Sequence, residues 1–144
     1  MALGQRLDGL DRKTYVLVGD GEIAEGQIWE AAMAASAFKA DNLVAIVDRN
    51  GLQVNGKIKE RMDSGNIAAK FLSFGWHVIE IDGHNMEEIL TALDGADQAK
   101  GVPTVIVADT VKGKGLSFAE NVVSYHNGKL TDETYRQALA ELAV

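Results

Sequence analysis

The 144 residues suffice for one domain that buries roughly two-thirds of its unfolded surface. A composition 47% hydrophobic and 24% charged is that of a globular protein, and the lack of cysteine excludes disulfides and thiolate metal centres. The net charge of −7 argues against a nucleic acid or a membrane surface held by electrostatics. It leaves room for an anionic ligand held by a divalent cation and backbone N–H groups. No apolar run approaches the roughly 18 residues that cross a bilayer. No signal-peptide pattern opens the chain, since Arg6, Asp8, Asp11, Arg12 and Lys13 are charged. A cytoplasmic location fits these features.

Met1–Leu7 reads as a helix. Tyr15–Val18 is an apolar run ending in glycine, and a helix follows from about Ala24 to Phe38, with Ile28, Ala31, Ala32, Ala35 and Phe38 on one face. Leu43–Val47 is a second apolar run. Residues 49–66 are polar and carry no clear period. Ile67–Phe74 is a short helix stopped by Gly75. His77–Ile81 is a strand, and Met86–Gln98 a helix with Met86, Ile89, Leu90 and Leu93 inward. Pro103–Ala108 is another strand, residues 109–130 a long loop, and Asp132 caps a last helix reaching about Leu142. The strands are apolar throughout rather than alternating, which predicts burial on both faces in a mostly parallel sheet. The expected fold is a three-layer α/β/α single domain over 1–144, with ligands bound beyond the carboxyl ends of the strands. Segments 19–25, 48–56 and 109–128 leave those ends, and "DGHN" after Ile81 lies at the same edge.

"VLVGDGEIAEGQIWEA", residues 16–31, concentrates the chemistry. Gly19 and Gly21 stand between a strand and a helix, where backbone N–H groups and the helix dipole suit a diphosphate. Gly19 to Ala24 also satisfies the dinucleotide fingerprint G-x-G-x-x-[GA], and Asp48 resembles its ribose-binding acid, so a Rossmann-type module is an alternative. Asp20 argues against it. A carboxylate facing a diphosphate repels it unless a cation stands between them, and Mg²⁺ accepts one carboxylate, neutral oxygens and phosphate oxygens. Asn50 in "VDRNGLQ", with backbone carbonyls at Gly51 or Leu52, offers further oxygens. The competing reading of "DRNG" is a plain turn.

Gly19-Asp20-Gly21 followed by Asn50 resembles the thiamine diphosphate motif, and "GDGEIAEGQIWEAAMAAS" resembles its transketolase version. "DNLVAIVDRNGLQVNG", "FGWHVIEIDGHN" and "VIVADTVKGKGLSFAEN…YHNGKL" follow in the transketolase order. The resemblance implies a thiamine diphosphate-binding fold of the kind that grips the diphosphate, with Mg²⁺ held by the Asp20 and Asn50 side chains and the Leu52 carbonyl. Ca²⁺ can substitute for Mg²⁺ in that reading. It implies a Gly21 N–H donated to the diphosphate, Glu25 near a subunit interface, a Lys112–Gly113 loop closing over the cofactor, and His126 contacting diphosphate and substrate. The implied activity is two-carbon ketol transfer between sugar phosphates of the pentose phosphate pathway. The pyrimidine-binding domain and the front of the diphosphate domain have no counterpart here. The chain therefore reads as a fragment, a split-gene subunit or an excised domain, inactive alone and assembling as a homo-oligomer or with a companion subunit. A non-catalytic assembly domain that keeps the fold is the third reading.

Other residues have plainer readings. Glu22 either touches the site or suits the helix dipole as a first-turn acid. Trp29, Trp76 and His77 read as structural. His84 reads as a solvated or capping histidine. "KIKERMD" reads as a solvated face or a loop that orders around the cofactor.

Overall fold

A computed structural model describes residues 1–143. In chain order the elements are α1 (Ala2–Leu7), β1 (Thr14–Gly19), α2 (Gly26–Ala37), β2 (Leu43–Arg49), the short strands β3 (Leu52–Gln53) and β4 (Gly56–Lys57), α3 (Ile67–Ser73), β5 (His77–Asp82), α4 (Met86–Gln98), β6 (Thr104–Asp109) and α5 (Asp132–Leu142). The main sheet runs β1-β2-β6-β5 with every pair parallel, and β3 and β4 form a separate antiparallel hairpin. Gly19 stands opposite Asp48, and Arg49 opposite Asp109. The strand ends thus share one edge, where the polar segments leave.

The expected layers are present. Helices α2 and α3 cover one face through Ala32, Ala35, Ile67 and Phe71 over Val18, Val47, Val105 and Val107. Helix α4 covers the other through Ala92 and Ala96 over Val44 and Ile106. Trp29 lies 5.3 Å from Phe71, and Phe71 lies 5.1 Å from Trp76, ring centre to ring centre. The Trp76 indole donates to the Ala32 carbonyl at 2.9 Å, locking α2 to the start of β5. Both tryptophans are packing residues, as their sequence context indicates.

Several local expectations need correction. Burial on both faces holds for the central strands β2 and β6 only. On β1, Tyr15 and Leu17 are exposed, because this strand is an edge and α4 sits over β2, β5 and β6. On α4 the inward stripe is Ile89, Ala92, Leu93 and Ala96, while Met86 and Leu90 face outward, a shift of the i, i+3, i+4 pattern by one turn. Phe38 likewise points outward, at the C-cap of α2. The last helix is capped by Thr131, whose hydroxyl accepts the Thr134 N–H in a capping box, so Asp132 is its first residue.

Candidate functional site

The glycine turn after β1 does not run straight into α2. A 3₁₀ turn at Glu22–Ala24 and an extended Glu25 intervene, and α2 begins at Gly26. The expected helix N-terminus therefore does not abut Gly19-Asp20-Gly21. This removes the strand-to-helix context that a dinucleotide fingerprint needs. The Asp48 side chain lines the cavity and accepts the Thr110 hydroxyl through Oδ1.

Asp20 turns inward and is 3% exposed. Its N–H donates to the Asp48 carbonyl at 3.1 Å, and its Oδ2 accepts the Gly51 N–H at 2.6 Å. Its Oδ1 is buried without any partner. Burial pushes this carboxyl above its ordinary value of 3.8. The Gly51 N–H pulls it back, the nearby Asp48 charge adds to the rise, and the Gly21 and Asp20 N–H groups lower it to a lesser degree. A buried carboxylate oxygen with no donor is costly in free energy unless a proton, a water or a cation meets it.

The glycines beside Asp20 differ in cause. A Cβ on Gly19 would meet no protein atom within 4 Å, so packing does not demand glycine there. Open space at a residue lining a cavity is what close approach of a ligand requires. A Cβ on Gly21 would meet the Gln53 side chain at 3.2 Å, so Gly21 lets β3 approach. Glu22 Oε2 accepts the Gly19 N–H at 3.2 Å, which engages Glu22 at the site and takes that amide out of any phosphate cradle. Asn50 makes the turn that "DRNG" suggests, and it stands at the cavity. Its Oδ1 accepts the Leu52 N–H at 3.0 Å in a local turn, with Gly51 at φ +73°, and the residue also faces the cavity. A carbonyl oxygen has a second lone pair for a cation.

The opposite wall comes from the loop after β6 and the 3₁₀ turn Val123–His126. A cavity of about 700 Å³ brings together Gly19, Asp20, Gly21, Glu22, Asn50, Leu52, Lys112 and His126. Two expected site residues lie outside this lining. Gly113 is the turn beside Lys112, at φ +76°, where a Cβ would meet the Ala119 carbonyl oxygen at 2.6 Å. Glu25 is exposed at the start of α2 and accepts from Gln27 at 2.5 Å. Sequence reasoning missed Gln53, Asn55 and Arg61, which complete the wall. Arg61 belongs to "KIKERMD", and its Nε donates to the Asn55 carbonyl at 3.0 Å. The sequence offers this segment as a solvated face or a cofactor-ordered loop without singling out Arg61, and the β3–β4 hairpin is what brings it to the wall. His84 is exposed, as expected, but it is not merely solvated: its Nε2 accepts the Val111 N–H at 2.7 Å.

No cluster of three His, Cys, Asp or Glu side chains capable of holding a metal occurs among the described residues. A cation here would rest on the orphaned Asp20 oxygen, the Asn50 amide oxygen, backbone carbonyls and oxygens of the ligand itself. That donor set suits Mg²⁺ and not a soft metal.

The family model described as transketolase, thiamine diphosphate binding domain, matches residues 4–143. The 6-deoxy-6-sulfo-D-fructose transketolase subunit SqwG of Clostridium sp. (strain MSTE9) is 46% identical over 142 residues, covering 99% of this chain and 52% of that protein. An apulose-4-phosphate transketolase subunit of Phocaeicola vulgatus is 43% identical, over 99% of this chain and 51% of that protein. The chain thus spans about half the length of these relatives. It spans 22% of the human transketolase, to which it is 38% identical. Among solved structures, the transketolase of Campylobacter jejuni superposes with a TM-score of 0.88 at 32% identity, over 97% of this chain and 22% of that one.

Proposed function

We propose that this chain, which belongs to the transketolase family of thiamine diphosphate-binding domains, is the diphosphate- and metal-gripping component of a two-carbon ketol transferase. The observation that carries the proposal is Asp20, buried at a cavity between the strand ends with one carboxylate oxygen unpartnered. Residues 1–144 act as a single domain of the diphosphate-binding type. Asp20 Oδ1, Asn50 Oδ1 and the Leu52 carbonyl hold Mg²⁺, or Ca²⁺ in its place. The cation neutralises the charge that Asp20 would otherwise turn on a diphosphate. Gly21 offers its N–H to the diphosphate, and Gly19 leaves it room. Lys112 adds a positive charge from the facing wall, and Gly113 gives its loop the turn it needs. His126 reaches diphosphate and substrate from the 3₁₀ turn, and Glu25 lies at a subunit contact.

When bound, thiamine diphosphate supplies the carbon nucleophile of ketol transfer; the protein supplies position and charge. The relatives' names as transketolase subunits support a companion chain that carries the pyrimidine-binding domain, in a homo- or hetero-oligomer. Sugar phosphates are the substrate class, as in the pentose phosphate pathway, and the cytoplasm the location. No described helix is long and apolar enough to cross a membrane.

Calorimetric titration tests the proposal. Thiamine diphosphate should bind in the presence of Mg²⁺ and not in EDTA, and Asp20→Ala or Asn50→Ala should weaken binding at least tenfold. NAD should not bind. Metal-independent binding of NAD, or no response to thiamine diphosphate with and without a companion subunit, would overturn it.

A further inference from the structure

We propose that His84 is a positioning residue: its neutral ring latches the loop that carries Lys112 to the end of the sheet. The latch stands on geometry alone, and only its consequence for ligand binding rests on the function proposed above.

The turn after β5 is braced on every side. Gly83 donates its N–H to the Asp109 carbonyl at 2.7 Å, and Asp82 Oδ1 accepts the His84 N–H at 2.8 Å. Asn85 caps α4 by accepting from Glu87 at 3.1 Å, and Glu88 Oε2 accepts the Asp82 N–H at 2.8 Å. The His84 backbone is therefore held in place. Gly83 brings the turn into contact with the chain leaving β6, since a Cβ there would lie 2.5 Å from Thr110 Cγ2 and 3.0 Å from the Asp109 oxygen. That contact puts the imidazole within reach of the next residue but one.

Val111 is the first residue past Thr110, which still donates its N–H to the Arg49 carbonyl at 3.3 Å. Beyond it His84 Nε2, a side-chain atom, takes the Val111 N–H at 2.7 Å. Immediately afterwards the chain turns, with Lys114 donating to the Val111 carbonyl at 3.1 Å and Asn121 to the Lys112 carbonyl at 2.9 Å. Lys112, between them, lines the cavity. The imidazole therefore sets where the loop departs, and through it where Lys112 stands. An Nε2 that accepts carries its proton on Nδ1, so the ring acts in its neutral form.

Hydrogen–deuterium exchange of the full chain reads the latch directly. In His84→Ala the Val111 amide should exchange about tenfold faster or more, with the urea midpoint unchanged. His84→Gln places an oxygen acceptor near the position of Nε2 and should restore protection. Mg²⁺-dependent affinity for thiamine diphosphate should fall about three- to tenfold in the alanine variant and recover in the glutamine one. Wild-type protection of Val111 in His84→Ala, or a glutamine variant as fast as the alanine one, would overturn the latch. If the wild-type chain binds no thiamine diphosphate either alone or with a companion subunit, the function proposal fails while the exchange result still decides the latch.

Discussion

Asp20 holds the Gly51 N–H at 2.6 Å through one carboxylate oxygen and keeps the other buried without a partner. In the metal-free chain that charge is desolvated, and burial raises its pKa above the 3.8 of an exposed aspartate. A carboxyl whose folded value is raised favours folding most when it is protonated. Its contribution is fully present below the unfolded value and is lost as pH rises through the folded one. Asp20→Asn keeps an oxygen for Gly51 and carries no charge to desolvate. Metal-free Asp20→Asn should therefore melt about 2–5 °C above wild type at pH 7, the shift that roughly 1 kcal/mol produces in a chain of this size. The gap should close as pH falls below 4. Saturating Mg²⁺ should raise the wild type and leave the variant unmoved. Calorimetric scans at three pH values with and without Mg²⁺ check this; a variant less stable than the metal-free wild type at pH 7 would contradict it.

Gly113→Ala should loosen the loop that carries Lys112. Its φ of +76° already disfavours any side chain, and a Cβ would lie 2.6 Å from the Ala119 carbonyl oxygen. Backbone is the obstacle, so the loop must shift. The expected cost is about 1–3 kcal/mol, concentrated in residues 110–121. Exchange rates of the Leu116 and Asn121 amides, which close this loop on Gly113 and Lys112, should rise well before those of β2 and β6.

Trp76→Phe tests whether the α2–β5 lock is separable from the cavity. The indole N–H donates to Ala32 at 2.9 Å in a buried setting, and its ring packs edge-on to Phe71. Losing the bond and part of the ring should cost about 1–3 kcal/mol in urea denaturation. Ligand affinity should be unaffected, because the cavity lies at the other end of the strands. A binding defect comparable to that of Asp20→Ala would show the two regions to be coupled.

The sheet, its direction and the site edge are legible in the chain because the signals are local. Apolar runs mark β2 and β6, and a charge between two glycines marks a strand end that lines the cavity. What escapes are relations between distant segments. Leu17 looks as buried as Val47 until strand order puts β1 at an edge. Glu22 reads equally as a site residue or a helix-dipole acid until the 3₁₀ turn brings it onto the Gly19 N–H. Arg61 reads as part of a solvated face or of a cofactor-ordered loop until the β3–β4 hairpin folds it to the cavity wall. His84 is one of three histidines with nothing in its sequence context to pair it with Val111.

Arg49, the residue before Asn50, joins three strand ends. Its Nε and Nη2 meet the two Asp109 oxygens at 2.5 and 2.7 Å, and its Nη1 meets Glu80 at 3.0 Å. The guanidinium holds the Asp109 carboxyl below its ordinary 3.8. Asp109 is 62% exposed, so solvent screens the pair and the coupling should be about 0.5–1 kcal/mol despite bidentate geometry. A carboxyl with a depressed folded value contributes above its unfolded value and loses that contribution as pH falls through the folded one. A double-mutant cycle of Arg49→Met and Asp109→Asn should thus show full coupling at pH 6 and a fading one below 3.8. High salt should weaken it at pH 6. A coupling that persists unchanged in acid would mean that the guanidinium acts through packing of its stem on the strand ends, and that the carboxylate merely accompanies it.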